Sequence, residues 1–243
     1  LWKTYTIQTP AKETGTGQTG PSGAAIWSAP TIDLAGNRIF VTTGDAYSGP
    51  ADIGTDAVMG LDLRTGSILW INQGTADDIW TVVCMTPSAP ENCGPDQDYG
   101  SPGILLETDG RQFLLAGQKS GYVRAFDLRG GSILWRTAVV ENTTEFGGKI
   151  IWGGTSDGTK AYFGLGSGGI VAVGVSDGAI AWFTPLVPEE AMARHPGHDG
   201  PLASSADLVF SGGWDGMLRA LSAATGTVLW EYNTAVEFTP VNE

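Results

Sequence analysis

Gly60-Leu-Asp-Leu-Arg-Thr-Gly-Ser-Ile-Leu-Trp70 decides the fold, because the chain writes it four times. The other copies are Ala125-Phe-Asp-Leu-Arg-Gly-Gly-Ser-Ile-Leu-Trp135, Ala172-Val-Gly-Val-Ser-Asp-Gly-Ala-Ile-Ala-Trp182 and Ala220-Leu-Ser-Ala-Ala-Thr-Gly-Thr-Val-Leu-Trp230. Leu1-Trp2 reads as the tail of a fifth. Each copy carries the chemistry of a hairpin. An alternating strand runs into a turn where Asp bonds its own backbone and Gly takes the positive φ, and a second strand returns to end in Trp. Two more short strands precede each hairpin, as in Ala29-Pro-Thr-Ile-Asp33 and Arg38-Ile-Phe-Val-Thr42. Trp135, Trp182 and Trp230 stand about 47–48 residues apart, and Trp70 to Trp135 is stretched by an insertion between about Gly74 and Asp98. Four strands in units of roughly 40–50 residues are the pattern of a β-propeller blade. The expected fold is therefore all-β, with about four complete four-stranded blades over residues 1–243. The recurring indole is expected to dock each blade on its neighbour.

Composition agrees. Glycine contributes 36 of 243 residues, about twice the roughly 7% of an average chain, which demands many tight turns. No stretch of helical length keeps a 3.6-residue apolar period. Acidic residues outnumber Lys and Arg 26 to 13, for a net charge of -13. Such a surface repels phosphate backbones and anionic lipid, which argues against nucleic acid as a partner. No segment approaches the roughly 18 apolar residues of a membrane span, so membrane insertion is not expected. Both ends read as cut, and the expectation is a piece of a larger ring.

The repeated Ala-x-Asp-x-x-Thr-Gly-x-x-x-Trp pattern resembles the docking motif of the pyrroloquinoline quinone (PQQ) enzymes, the eight-bladed quinoprotein alcohol dehydrogenases. Longer stretches are similar to the polyvinyl-alcohol dehydrogenase-like branch. They are Gly20-Pro-Ser-Gly-Ala-Ala-Ile-Trp-Ser-Ala-Pro-Thr-Ile-Asp33 with Val41-Thr-Thr-Gly-Asp-Ala-Tyr-Ser48, Asp78-Ile-Trp-Thr-Val-Val-Cys84 running on to Asn92-Cys-Gly-Pro-Asp-Gln-Asp-Tyr-Gly-Ser-Pro102, and Leu115-Ala-Gly-Gln-Lys-Ser-Gly-Tyr-Val-Arg-Ala125. Phe210-Ser-Gly-Gly-Trp-Asp-Gly-Met-Leu-Arg-Ala220 and the tail toward Thr239-Pro-Val-Asn242 extend the likeness.

The resemblance implies alcohol oxidation by hydride transfer to the quinone, with calcium as Lewis acid. It also implies a polyol or polymer substrate, a cytochrome c-type or similar electron acceptor, and a periplasmic or secreted location. Such chemistry needs a cation at the quinone oxygen, a hard-metal ligand set and a carboxylate base. Lys119 falls where the family sets a Lys or Arg against the quinone oxygen; the plainer reading is a solvated Lys in a hairpin turn. Asp45 takes the place of a calcium-binding Asn, or else closes an Asx turn. The family's catalytic Asp follows the Trp of an Asp-x-Trp-Asp motif, and here that position is Thr81. Asp78 and Asp98 are the substitute bases, with Asp77 behind them; the alternative is that all are turn carboxylates. Trp214 and Asn242 are the further cofactor-binding candidates. Trp27, Trp80, Trp152 and Trp214 lie outside the docking positions and read as blade-core packing, with a stack on the quinone as the alternative for one of them.

Cys84 and Cys93 close a short Pro-rich loop and read as a disulfide, which places the chain in an oxidising compartment, or as a reduced pair. No second Cys/His pair lies nearby to make zinc. His195 and His198 flank Pro and Gly and read as a surface loop. Two other functions compete with the enzyme. One is a non-catalytic propeller acting as a scaffold or protein-binding module, like the outer-membrane assembly lipoprotein that shares these repeats. The other is a relic that keeps PQQ but has lost its base, for which Thr81 is the evidence.

Overall fold

The computed structural model describes residues 1–13, 19–140, 149–186, 197–198 and 200–237. Among these residues there are four four-stranded antiparallel sheets, each an up-and-down meander. The first contains Thr31–Asp33, Arg38–Thr42, Ala57–Asp62 and Ile68–Gln73. The second contains Ile104–Thr108, Arg111–Gly117, Tyr122–Asp127 and Ile133–Ala138. The third contains Thr155–Ser156, Lys160–Gly164, Ile170–Gly174 and Ile180–Thr184. The fourth contains Ala203–Ser204, Leu208–Gly212, Met217–Ser222 and Val228–Asn233. No described helix is long and apolar enough to cross a membrane.

The repeated motif is a device for stacking these sheets. In every copy the Trp pairs across the hairpin with the small residue that opens the motif, Gly60, Ala125, Ala172 or Ala220, and a bulge follows at the next residue. At Gly60 an added Cβ would stand 2.5 Å from the Trp70 ring lying across the strand. The ring then reaches the next unit. Trp2, Trp70, Trp135 and Trp182 donate Nε1–H to the carbonyls of Leu63, Leu128, Val175 and Ala223 at 3.0, 3.0, 3.2 and 3.1 Å. Each indole covers the motif Gly of that unit, Gly66, Gly131, Gly178 or Gly226, and all four glycines hold φ between 66° and 74°. The Gly is thus needed twice, for its backbone conformation and for the seat of a ring.

Two residues after each of these Trp residues, a polar side chain completes the joint. Thr4, Asn72, Thr137 and Thr184 donate to the carbonyls of the same four glycines at 2.6–2.9 Å. Apolar clusters fill the space between sheets. Trp70 lies between Phe40 and Phe126 at centroid distances of 5.8 and 6.3 Å, and Phe113, Leu115, Val171 and Val173 build the next seam.

In a meander, alternate connections emerge at the same end. The Gly turns that seat the indoles sit at one end of each sheet. The connections from second to third strand, and from one sheet to the next, sit at the other. That second end carries the charged residues of interest.

Candidate functional site

Three non-repeating loops converge there. Asp45 follows the second strand of the first sheet, Lys119 follows that of the second sheet, and the long connection between the sheets carries Asp78, Asp96 and Asp98. Backbone bonds stitch the loops together. Gly44 N–H donates to Ala25 (2.9 Å), Tyr99 N–H to Thr43 (3.2 Å), Lys119 N–H to Asp98 (3.1 Å) and Ala46 N–H to Asp78 (3.2 Å). Gly44 packs closely against this site. A Cβ there would stand 3.2 Å from Asp98 Oδ2 and 3.3 Å from Trp27 Nε1.

The disulfide expected between Cys84 and Cys93 is formed, with Cα atoms 5.8 Å apart. It closes the outer part of the insertion, and Asp78 fastens the returning chain. Its Oδ1 accepts from Asp96 N–H at 3.2 Å and its Oδ2 from Gln97 N–H at 2.7 Å. Asp78 is wholly buried and held by these bonds, which makes it a positioning group for Asp96 and Asp98.

Lys119 Nζ lies 2.7 Å from Asp96 Oδ1 and 2.7 Å from Asp98 Oδ1. Lys149 closes on the other oxygen of Asp96. The Lys119 ammonium also stands over two indoles, 5.0 Å from the centroid of Trp27 and 5.8 Å from that of Trp80. The solvated-turn reading of Lys119 is therefore wrong, since only 9% of it is exposed. Trp27 and Trp80 are likewise not blade-core packing but walls around this charge.

Burial works against the charge on Lys119, yet Asp98 and Asp96 outweigh it and hold the ammonium above its usual range. Burial pushes Asp98 up, opposed by Lys119 and reinforced by Asp96 and Asp78. Asp45 rises to about 8, through burial first and then Asp98, with Lys119 opposing. Asp56, which no sequence motif marks, is wholly buried beside them. Its carboxyl is pushed up to about 10, through burial and then Asp45 and Asp78.

Of the sequence candidates, Asp45, Asp78, Asp98 and Lys119 are brought together. Trp214 lines a cavity of about 480 Å³ with Trp152, Pro201 and Gly213, and Trp152 packs edge-on against Trp27 at 5.2 Å. Asn242 and His195 lie outside the described residues. His198 is no surface residue. It is 1% exposed, with Nδ1 3.0 Å from Ser211 Oγ and Nε2 3.3 Å from Arg219 Nη1. Asp56, Asp96 and Lys149 join the site without having been singled out for it.

A quinone and a hard cation suit these residues. The donors are all oxygen, and Asp45 Oδ1 is buried without a hydrogen-bond partner. One set of oxygens from Asp45, Asp96 and Asp98 lies within 4.8 Å, the arrangement calcium chemistry uses. Lys119 and the Trp27 face provide charge and a flat wall beside it.

Fold and site together define a tandem-blade β-propeller with a buried acid-and-lysine hub. Residues 119–242 match the PQQ_2 family, described as outer membrane protein assembly factor BamB, and the chain belongs to that family. It is 37% identical to polyvinylalcohol dehydrogenase of Pseudomonas sp over 255 residues, 97% of this chain and 40% of that protein. Against the polyvinylalcohol dehydrogenase of a Sphingopyxis species it is 30% identical over 98% of this chain and 40% of the relative. The chain thus spans about 40% of the length of these curated relatives. Among solved structures, quinohemoprotein alcohol dehydrogenase from Comamonas testosteroni superposes with a TM-score of 0.61 at 18% identity, covering 87% of this chain and 41% of that one. That likeness shows the propeller fold.

Proposed function

We propose that this chain forms the cofactor-holding face of a PQQ-dependent dehydrogenase that oxidises alcohol groups of polyol or polyvinyl-alcohol-like substrates. The observation that carries the reading is the buried Asp98–Lys119 pair, 2.7 Å apart, between Trp27 and Asp45. PQQ, when bound, supplies the ortho-quinone that accepts the hydride. Asp98 takes the hydroxyl proton. A carboxylate whose pKa is raised by burial is a stronger base than one in water. Lys119 sets a fixed positive charge where negative charge grows on the quinone oxygen. Asp45 contributes to the calcium site, Asp78 and the Cys84–Cys93 loop keep Asp98 in place, and Trp27 shields the pair from water. Thr81 then has no acid–base role, because Asp98 has taken that duty from elsewhere in the same connection. Electrons leave to a cytochrome c-type or similar acceptor. The disulfide suits a periplasmic or secreted protein.

The assembly-factor description of the family favours a second reading, a scaffold that uses the docking seams alone. Such a scaffold has no need of five buried carboxylates against two lysines. The test is dye-linked oxidation of polyvinyl alcohol by the PQQ- and calcium-loaded protein. Asp98→Asn should lower kcat by about 10²–10⁴-fold while PQQ still binds. A loaded protein that oxidises no alcohol, or an Asp98→Asn variant with full activity, contradicts the enzyme reading.

A further inference from the structure

Lys119 and Lys149 form ion pairs with Asp96 and Asp98, but a second acidic set holds no such ion pair among the described residues. Asp45, Asp56 and Asp78 place one carboxylate oxygen each within 4.8 Å of the others. They are 5%, 0% and 0% exposed. No Lys, Arg or His forms an ion pair with any of the three among the described residues. Both oxygens of Asp56 and Oδ1 of Asp45 are buried without a hydrogen-bond partner. Thr55 Oγ1, beside Asp56, donates to the Asp52 carbonyl at 2.9 Å.

The aim of Asp56 is fixed by its backbone. The residue sits at φ 52°, its N–H donates to the Gly44 carbonyl at 3.0 Å and its carbonyl accepts from Gly74 N–H at 2.7 Å. Asp78 is fixed by the Asp96 and Gln97 amides. A buried carboxylate with no partner is costly, and a bound cation removes that cost. An all-oxygen set selects a hard ion. It shares only Asp45 with the Asp96–Asp98 set.

We propose that Asp45, Asp56 and Asp78 bind a divalent cation of the calcium or magnesium class without any quinone. The cation ties the loop after the second strand, the start of the third strand and the inter-sheet connection into one unit. The reading of the Asp98–Lys119 pair as a quinone site is not needed for it.

Calorimetric titration of the chelator-treated protein with calcium, and separately with magnesium, in the absence of PQQ tests this. Wild type should show a saturable site for one of the two ions. Asp56→Asn should weaken it at least about tenfold, whereas Asp98→Asn should keep it. Binding should also raise the melting temperature of wild type, a shift that survives in Asp98→Asn. The proposal fails if wild type binds neither ion saturably. It also fails if Asp56→Asn binds as tightly as wild type, or if Asp98→Asn loses the site as fully as Asp56→Asn. Should Asp56→Asn not fold, the wild-type melting shift decides: its absence overturns the site. A protein that fails to bind PQQ still gives the expected result here, so the two readings fail separately.

Discussion

The two ends of the sheets are built on opposite principles. At the turn end the same contact recurs at four seams, an indole over a glycine with one N–H and one hydroxyl or amide to carbonyls. At the other end nothing repeats, and the loops bring together Asp45, Asp56, Asp78, Asp96, Asp98, Lys119 and Lys149. Repetition makes the wheel rigid without using the hub for strength. The hub can then hold charges that no packing argument favours. Damage to a seam should therefore register in stability, and damage to the hub in ligand binding.

The largest expected effect is at the best-covered seam. Trp70 is 7% exposed, so Trp70→Ala removes a ring held between two phenylalanines and should cost about 3–5 kcal/mol in urea unfolding. Trp230 occupies the same register in the fourth sheet but is 48% exposed, stacked on Tyr232 of its own strand at 6.0 Å. Trp230→Ala should cost less than about 1 kcal/mol. Equal losses would erase the distinction between a seated and an unseated indole.

Next in size is the seat itself. Gly131→Ala forces a Cβ into the Trp70 ring at φ 66° and should cost about 2–4 kcal/mol. Gly110, at φ 72° but with open space around it, isolates the backbone part, and Gly110→Ala should cost only about 1 kcal/mol. Thr137→Val loses the 2.6 Å bond to the Gly178 carbonyl and should cost about 1 kcal/mol.

The smallest effect is a pH dependence at the seam between the third and fourth sheets. Tyr162 hydroxyl donates to Asp157 Oδ2 at 2.5 Å and also lies 3.2 Å from the Ala223 carbonyl that receives Trp182. Burial works to raise the Asp157 pKa, but hydrogen bonds from Tyr162, Lys160 and Thr159 overcome it and bring it from 3.8 to about 2. A folded pKa below the unfolded one gives stability that is complete above about 4 and lost as the pH falls toward about 2. Asp157→Asn should flatten that part of the acid-unfolding curve.

The seams were legible in the sequence because each is carried by one motif with an indole, a glycine and a small residue at fixed spacing. Even the Gly60 that opens the first copy is explained by the Trp70 ring lying over it. Asp45, Asp98 and Lys119 were legible only through the resemblance of their loops to a family. Asp56 was not. A Thr-Asp pair before an alternating strand is ordinary loop-to-strand chemistry, and only the approach of two connections buries it against Asp45 and Asp78. Lys149 reaches Asp96 from 53 residues away, a meeting with no local mark. His198 was misread for the same reason, since composition around a residue does not reveal which loop will close over it.

Lys119 and Asp98 are proposed to face a quinone at the hub. Quenching of tryptophan fluorescence by PQQ in the presence of calcium measures this directly. Wild type should quench saturably, Lys119→Gln should bind at least about tenfold more weakly, and Trp230→Ala should match wild type. Equal PQQ affinity in wild type and Lys119→Gln would contradict it.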